Sequence, residues 1–180
     1  MIVLVLGTPD SGKSAKAEEI TCSLAGSAEK IYIATMIPFG ESGKKRVEKH
    51  RKMREGKGFF TLEKPTDVDS AVEEISDIEN KICLLECMSN LVGNEMHDPS
   101  KAKYSDDKLC NRILEEVMTL GKSCKHLVIV ANSFPLEDEG YDDDTRRFVK
   151  LTESVNDLLG IKADDVYELV EGEWKLRANH

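Results

Sequence analysis

The sequence holds little that would staple, anchor or extend a fold. Its five cysteines, Cys22, Cys83, Cys87, Cys110 and Cys124, make an odd count with no C-x-x-C pair, which argues against a disulfide framework and a zinc site and leaves reduced thiols in or near the core. Long apolar runs are missing too. The opening MIVLVLG has five apolar residues after Met1, no basic flank and no cleavage site, so neither a signal peptide nor a membrane span is expected there and the chain is expected to be cytoplasmic. Positive charge is in deficit: 34 acidic against 25 basic side chains give a formal charge of −9. Such a surface repels nucleic acid and anionic lipid, so neither is an expected partner. There is no internal repeat and no low-complexity linker, and 180 residues fit one domain spanning positions 1–180, since domains usually run about 100 to 200 residues.

What is present is an alternation of short apolar runs with helical patterns. Ile2 to Leu6, Lys30 to Ala34, Ile82 to Glu86, His126 to Ala131 and Asp165 to Val170 read as strands, with a short sixth at Trp174 to Arg177. Between them, Ala15 to Leu24, Lys44 to Met53, Val68 to Asn80, Asp106 to Lys122 and Asp144 to Leu159 read as helices. The rhythm predicts an α/β fold, a P-loop NTPase-like three-layer sandwich with a mostly parallel central sheet, helices on both faces and ligands at the carboxyl ends of the strands. Ile37 to Gly43, Asn94 to Ser105 and the acidic Leu136 to Asp143 read as loops. A solvated loop explains that acidic run; metal binding would need its carboxylates to converge on one point.

One motif carries chemistry by itself. Gly7, Thr8, Pro9, Asp10, Ser11, Gly12, Lys13 and Ser14 fit G-x-x-x-x-G-K-[ST] between a buried strand and a helix. Glycines let the backbone curl so that N–H groups face inward, and the positive helix end adds to them, which suits the phosphates of ATP or GTP. Lys13 is expected to reach the β- and γ-phosphates and Ser14 to offer its hydroxyl to Mg²⁺. Glu86, closing an apolar strand, is a candidate to hold that metal or its water shell; the alternative is an exposed carboxylate at a strand end.

The run KKRVEKHRKMR at positions 44 to 54 is a basic island in an acidic chain. At about 3.6 residues per turn, Arg46, His50 and Met53 or Arg54 share a face, with Val47, Arg51 and Arg54 on its neighbour. Cations around His50 would favour its neutral, nucleophilic form and offer donors to a triphosphate. By spacing alone a solvated basic helix is the plainer reading.

Taken together, GTPDSGKS, IYIAT at Ile31 to Thr35, RVEKHRKMR at Arg46 to Arg54, TLEKP at Thr61 to Pro65 and LLECMSNLVGNEM at Leu84 to Met96 resemble the adenosylcobinamide kinase/adenosylcobinamide-phosphate guanylyltransferase family. The resemblance implies a bifunctional enzyme of cobalamin biosynthesis. It would phosphorylate the aminopropanol hydroxyl of a corrinoid and then transfer GMP from GTP to that phosphate, through a guanylyl group on His50. It also implies that Glu63 and Glu86 lie near the nucleotide, that Arg46, Arg51 and Arg54 are phosphate ligands, and that the protein is a homo-oligomer, a trimer. The second half departs from the family pattern. A V-[ST]-N-E-V-G segment is replaced by Val130-Ala131-Asn132-Ser133-Phe134-Pro135, and Val149, Lys150 and Glu153 stand where arginine, aspartate and glycine are usual, although Arg146, Phe148 and Asn156 match. Two alternatives stay open at this point: a small-molecule kinase with no covalent intermediate, and a GTP-binding module without turnover.

Overall fold

The computed structural model describes residues 1–178. Seven strands, β1 (Ile2–Gly7), β2 (Lys30–Ala34), β3 (Phe59–Glu63), β4 (Ile82–Glu86), β5 (His126–Asn132), β6 (Asp165–Val170) and β7 (Glu173–Ala178), form one sheet in the order β3-β2-β4-β5-β1-β6-β7. All neighbours are parallel except β6 and β7, which form a hairpin. The helices are α1 (Lys13–Ala25), α2 (Gly40–Arg54), α3 (Ala71–Glu74), α4 (Met88–Met96), α5 (Asp106–Ser123) and α6 (Asp143–Lys162).

Alternation along the strands sorts side chains onto two faces. Val3, Val5, Tyr32, Leu84, Val128 and Val130 pack with Ala17 and Ile20 of α1. Leu4, Ile31, Ile33, Cys83, Leu85, Leu127 and Ile129 face the other way, onto α4, α5 and α6. Each fully buried branched aliphatic side chain contributes about 1.5–3 kcal/mol, so the strands that read as apolar runs are those sealed on both sides. The register aligns Ala34 with Glu86, Glu86 with Val130 and Gly7 with Asn132. The ends of β2 and β4 are therefore level with each other, and those of β1 and β5 are level two residues further on, which fixes the floor of the site described below.

Several elements differ from the sequence expectation. The predicted helix from Val68 to Asn80 is a 3₁₀ turn (Val68–Ser70), the single turn of α3 and a second 3₁₀ turn (Ile78–Asn80). Val68, Ala71, Ile75 and Ile78 are buried at helical spacing, but Ile75 takes an extended backbone (φ −98°, ψ 107°) that ends α3, and Asp77 a left-handed one (φ 49°), which a short polar side chain tolerates, before the second 3₁₀ turn. Strand β3 was not foreseen because it is an edge strand with an exposed Phe60 and no alternation to betray it. Helix α4 was hidden inside the segment after Glu86, and α2 starts at Gly40, inside a stretch that reads as loop. All five cysteines are free; Cys83, Cys110 and Cys124 are buried, but Cys22 is exposed. The acidic run 137–140 is exposed, and Asp142 caps α6 by accepting from the Thr145 amide at 2.7 Å. Among the described residues no helix is long and apolar enough to cross a membrane.

A buried ionic cluster ties α4, α5 and the turn at Val68 together. Lys101, 8% exposed, donates to Glu95 and to Asp67 Oδ1 (3.0 Å), and Arg112 pairs with Asp69 (3.0 Å) and Glu116 (2.9 Å). Asp67, Asp69 and Glu116 bring oxygens within 4.8 Å of one another, but Arg112 and Lys101 already neutralise the centre, so it is an ion-pair network. Burial, then the charge of Glu95, pushes the Glu116 carboxyl from 4.5 up to about 8. A carboxyl raised on folding keeps a proton that the unfolded chain has lost. Its contribution to stability is present below about pH 4.5 and is lost as pH rises through about 8. Melting temperatures taken across this window should fall with rising pH in the native protein, and Glu116→Gln should flatten the slope by a few degrees; equal slopes would rule the assignment out.

Candidate functional site

The loop between β1 and α1 is shaped by its backbone. Asp10 (φ 58°) and Gly12 (φ 84°) are left-handed, and a Cβ on Gly7 would meet Ser11 Oγ at 2.9 Å. The first glycine thus leaves room for the Ser11 hydroxyl as the loop curls over its own start. Lys13 is 5% exposed; its Nζ lies inside the curl, donating to the Thr8 carbonyl and 3.4 Å from Ser11 Oγ. Burial lowers its pKa, while the charges of Glu86 and Asp10 oppose that shift.

Glu86 is the hub of the site. It shares a sheet face with Tyr32, because Ala34 and Glu86 are paired and side chains alternate. That face is the one α1 covers, so the Ser14 hydroxyl donates to Glu86 Oε1, and the Tyr32 hydroxyl donates to Oε2 at 3.0 Å. His50 Nδ1 lies 3.5 Å from Glu86 Oε1 and is buried without a hydrogen-bond partner. The histidine's surroundings are therefore not only cationic, as the helix pattern by itself suggested; a buried carboxylate sits on its Nδ1 side. Burial, then the Glu86 charge, drives the Tyr32 phenol far above its usual range, so it remains a donor.

Helix α2 reaches this centre through two side chains. His50 is one. Arg54, 7% exposed, is the other: its guanidinium carbon stands 3.3 Å from the centroid of the Tyr32 ring, and Nη1 is buried with no partner. Arg51 Nη2 and Glu63 Oε1 are 3.6 Å apart at the rim, both largely exposed.

These groups surround a groove of about 1180 Å³ at the carboxyl ends of the strands. Pro9, Asp10, Ser11, Gly12, Lys13, Ser14, Arg46, His50, Arg51, Arg54, Glu63 and Glu86 all line it. Gly7 and Thr8 do not; they act on the groove through the loop's shape and through the contact between Thr8 and Lys13. Cys87, also lining it, is raised above an ordinary thiol by burial and stays protonated, which makes it a poor nucleophile.

Sequence reasoning missed Tyr32, Thr35, Asn94 and Asn132. Thr35 Oγ1 accepts from the Cys87 amide and donates to the Cys87 carbonyl, each at 2.8 Å. Asn94 Nδ2 holds the Thr35 and Pro65 carbonyls at 2.8 and 2.9 Å. Asn132 Nδ2 donates to Ser89 Oγ at 2.6 Å. Tyr32 carried a readable signal, a lone hydroxyl inside a doubly buried apolar strand, where it must find a partner.

Among solved structures, the chain is similar to the ATPase domain of G40P, with a TM-score of 0.56 at 13% identity over 94% of this chain and 69% of that one. At that identity the likeness shows the fold alone, a P-loop ATPase-like α/β architecture. A search of curated proteins finds no match. A protein-family comparison matches residues 3–175 to cobinamide kinase / cobinamide phosphate guanyltransferase. That match spans nearly the whole chain, including the second half where the motif-by-motif resemblance thins, and so the chain belongs to the cobinamide kinase / cobinamide phosphate guanyltransferase family.

Proposed function

We propose that the groove performs both chemistries of the family in one domain, phosphorylating adenosylcobinamide and passing GMP from GTP to adenosylcobinamide phosphate through a guanylyl group on His50. The observation that carries this reading is the placement of His50 against Glu86 and beside the loop bearing Lys13 and Ser14. A histidine nucleophile has to share a groove with a triphosphate cradle, and here the two are joined by one carboxylate.

In the guanylyl half-reaction, Glu86 accepts a hydrogen bond from the Nδ1–H of His50, which keeps the proton on Nδ1 and leaves the Nε2 lone pair free. Nε2 attacks the α-phosphorus, a P–N bond forms, the α–β bridging P–O bond breaks, and pyrophosphate leaves into the inward-facing amides of the loop and Lys13. The imidazolium formed is stabilised by the Glu86 carboxylate. The phosphate of the acceptor then attacks the same phosphorus, the P–N bond breaks and neutral His50 is restored. In the kinase half-reaction, Lys13 and the loop amides hold the β- and γ-phosphates while the acceptor hydroxyl takes the γ-phosphoryl group. Arg46, Arg51 and Arg54 are assigned to the nucleotide as further cations, Arg54 through its unpartnered Nη1, and Glu63 orients Arg51.

The Ser14 hydroxyl and the Glu86 carboxylate already touch beside the loop, a donor set that fits Mg²⁺. When bound, Mg²⁺ supplies charge neutralisation on the phosphates. We also assign the protein to the cytoplasm and to a homotrimer, by the family resemblance. The test is intact mass after incubation with GTP and Mg²⁺: a GMP-sized increase in the native protein supports the covalent reading. No increase, with corrinoid phosphorylation intact, would leave the kinase without the intermediate.

A further inference from the structure

We propose that Phe134 and Phe148 form the acceptor side of the groove, taking the amide-bearing corrin ring of the acceptor, and that Glu153 is the positioning residue that holds Phe134 there. This rests on the reading above and extends it to the substrate whose seat the motifs leave unassigned.

The two walls of the groove differ in chemistry. On the α2 wall stand Lys44, Lys45, Arg46, Lys49, His50 and Arg51. On the wall formed by the end of β5 and by α6, the lining residues Asn132, Phe134 and Phe148 carry no charge. A triphosphate belongs with the first wall, and the acceptor's corrin ring, which carries no negative charge, with the second. At about 1180 Å³ the groove lies above the roughly 300–1,000 Å³ usual for one small-molecule ligand, and its two walls offer different chemistry to different parts of the substrates.

In-line substitution gives the order of seats. Attacking and leaving groups lie on opposite sides of phosphorus, so whatever displaces His50 enters from the side away from α2. Pyrophosphate leaves towards the loop at Gly7 to Ser14, and the acceptor phosphate then takes that vacated place. The body of the acceptor extends beyond it, across the strand ends, to the far wall.

The far wall is built to present rings. Phe134 and Phe148 are tilted at 58° with centroids 5.7 Å apart, and both are only partly buried. The third aromatic ring of the groove, Tyr32, has Arg54 against it, so the pair supplies the open aromatic surface. Glu153 accepts from the Phe134 amide at 2.8 Å and bonds the Ser133 side chain. Asn156 Nδ2 donates to the Asn132 carbonyl at 2.9 Å, so α6 holds the start of this loop at two points. Relative to the family pattern this chain lacks an acid at Ser133 and gains one at Glu153. A carboxylate thus reaches the loop after β5 from the neighbouring helix.

The test separates the two half-reactions in Phe134→Ala, Phe134→Leu, Glu153→Ala and Glu153→Gln. Phe134→Ala should raise the KM for adenosylcobinamide phosphate about tenfold, as loss of an aromatic contact of about 1.4 kcal/mol does, while adduct formation from GTP changes less than about twofold. Phe134→Leu should fall between. Glu153→Ala should reproduce the acceptor effect and Glu153→Gln, whose amide oxygen can still accept from Phe134, should restore it. A raised KM for GTP with an unchanged acceptor KM would place the nucleobase on these rings and overturn the proposal; no change in either constant overturns it as well. If the native protein forms no adduct at all, the covalent reading fails separately. Equilibrium dialysis of adenosylcobinamide then decides, weaker binding by Phe134→Ala supporting the aromatic seat and equal binding removing it.

Discussion

His50→Ala protein incubated with GTP and Mg²⁺ should show no GMP-sized mass increase, and its guanylyl transfer should fall by about a thousandfold or more. The reason is chemical. Without the imidazole the route through a P–N bond is closed, and what remains is direct attack by a weakly nucleophilic acceptor phosphate in a groove shaped for something else. Phosphorylation of adenosylcobinamide should fall far less, because that step relies on the loop at Gly7 to Ser14 and on Lys13. The split between the two activities distinguishes loss of a nucleophile from general damage, which would lower both. Lys13→Ala is the complementary variant and should depress both by about a hundredfold or more, since each reaction needs its charge on departing or migrating phosphates. A His50→Ala protein that transfers GMP at the native rate would end the covalent reading.

Glu86→Gln should lower both activities by about a hundred- to a thousandfold while leaving the melting temperature unchanged or slightly raised. Glu86 is 7% exposed and faces Ser14, Tyr32 and His50. The substituted amide would keep the shape and could still accept from the Tyr32 hydroxyl. What is lost is the negative charge that orders His50 Nδ1, stabilises the imidazolium and fits Mg²⁺. A buried carboxylate facing two neutral hydroxyls and one histidine carries a desolvation cost that a neutral amide avoids. The expected signature is activity down and stability level, read by steady-state kinetics alongside thermal melting. A large fall in melting temperature would instead make Glu86 a structural residue.

Legibility in the sequence followed the physics of each element. The buried parallel strands were readable because burial on both faces leaves a continuous β-branched run, and the loop at Gly7 to Ser14 because its curl restricts residue type at several fixed spacings. Helices α5 and α6 announced themselves by helical patterns; their caps, Ser105 and Asp142, whose side chains accept from the Lys108 and Thr145 amides, lay in stretches that read as loop. Strand β3 was hidden because an edge strand needs no second buried face. The breaks at Ile75 and Asp77 were hidden because the buried side chains keep a helical spacing through three separate turns. At the site, the motif residues were found, but the bonds between them were not. Nothing in spacing puts Tyr32 under Arg54, or joins Ser14 to Glu86 across 72 positions. Those follow from sheet register, which aligns the ends of β2 and β4, and register is a long-range property.

Helix α2 has fifteen residues, and Arg54 is the only one of them that is buried. A helix held by so little apolar surface derives scant stability from tertiary packing, and it opens locally at a free energy far below that of the sheet. On the proposed covalent route the nucleophile is therefore carried on a helix with one buried side chain, whereas the phosphate cradle and Glu86 are set against the sheet. The contact of Arg54 with the Tyr32 ring is the buried point at which that helix is fastened to the strands.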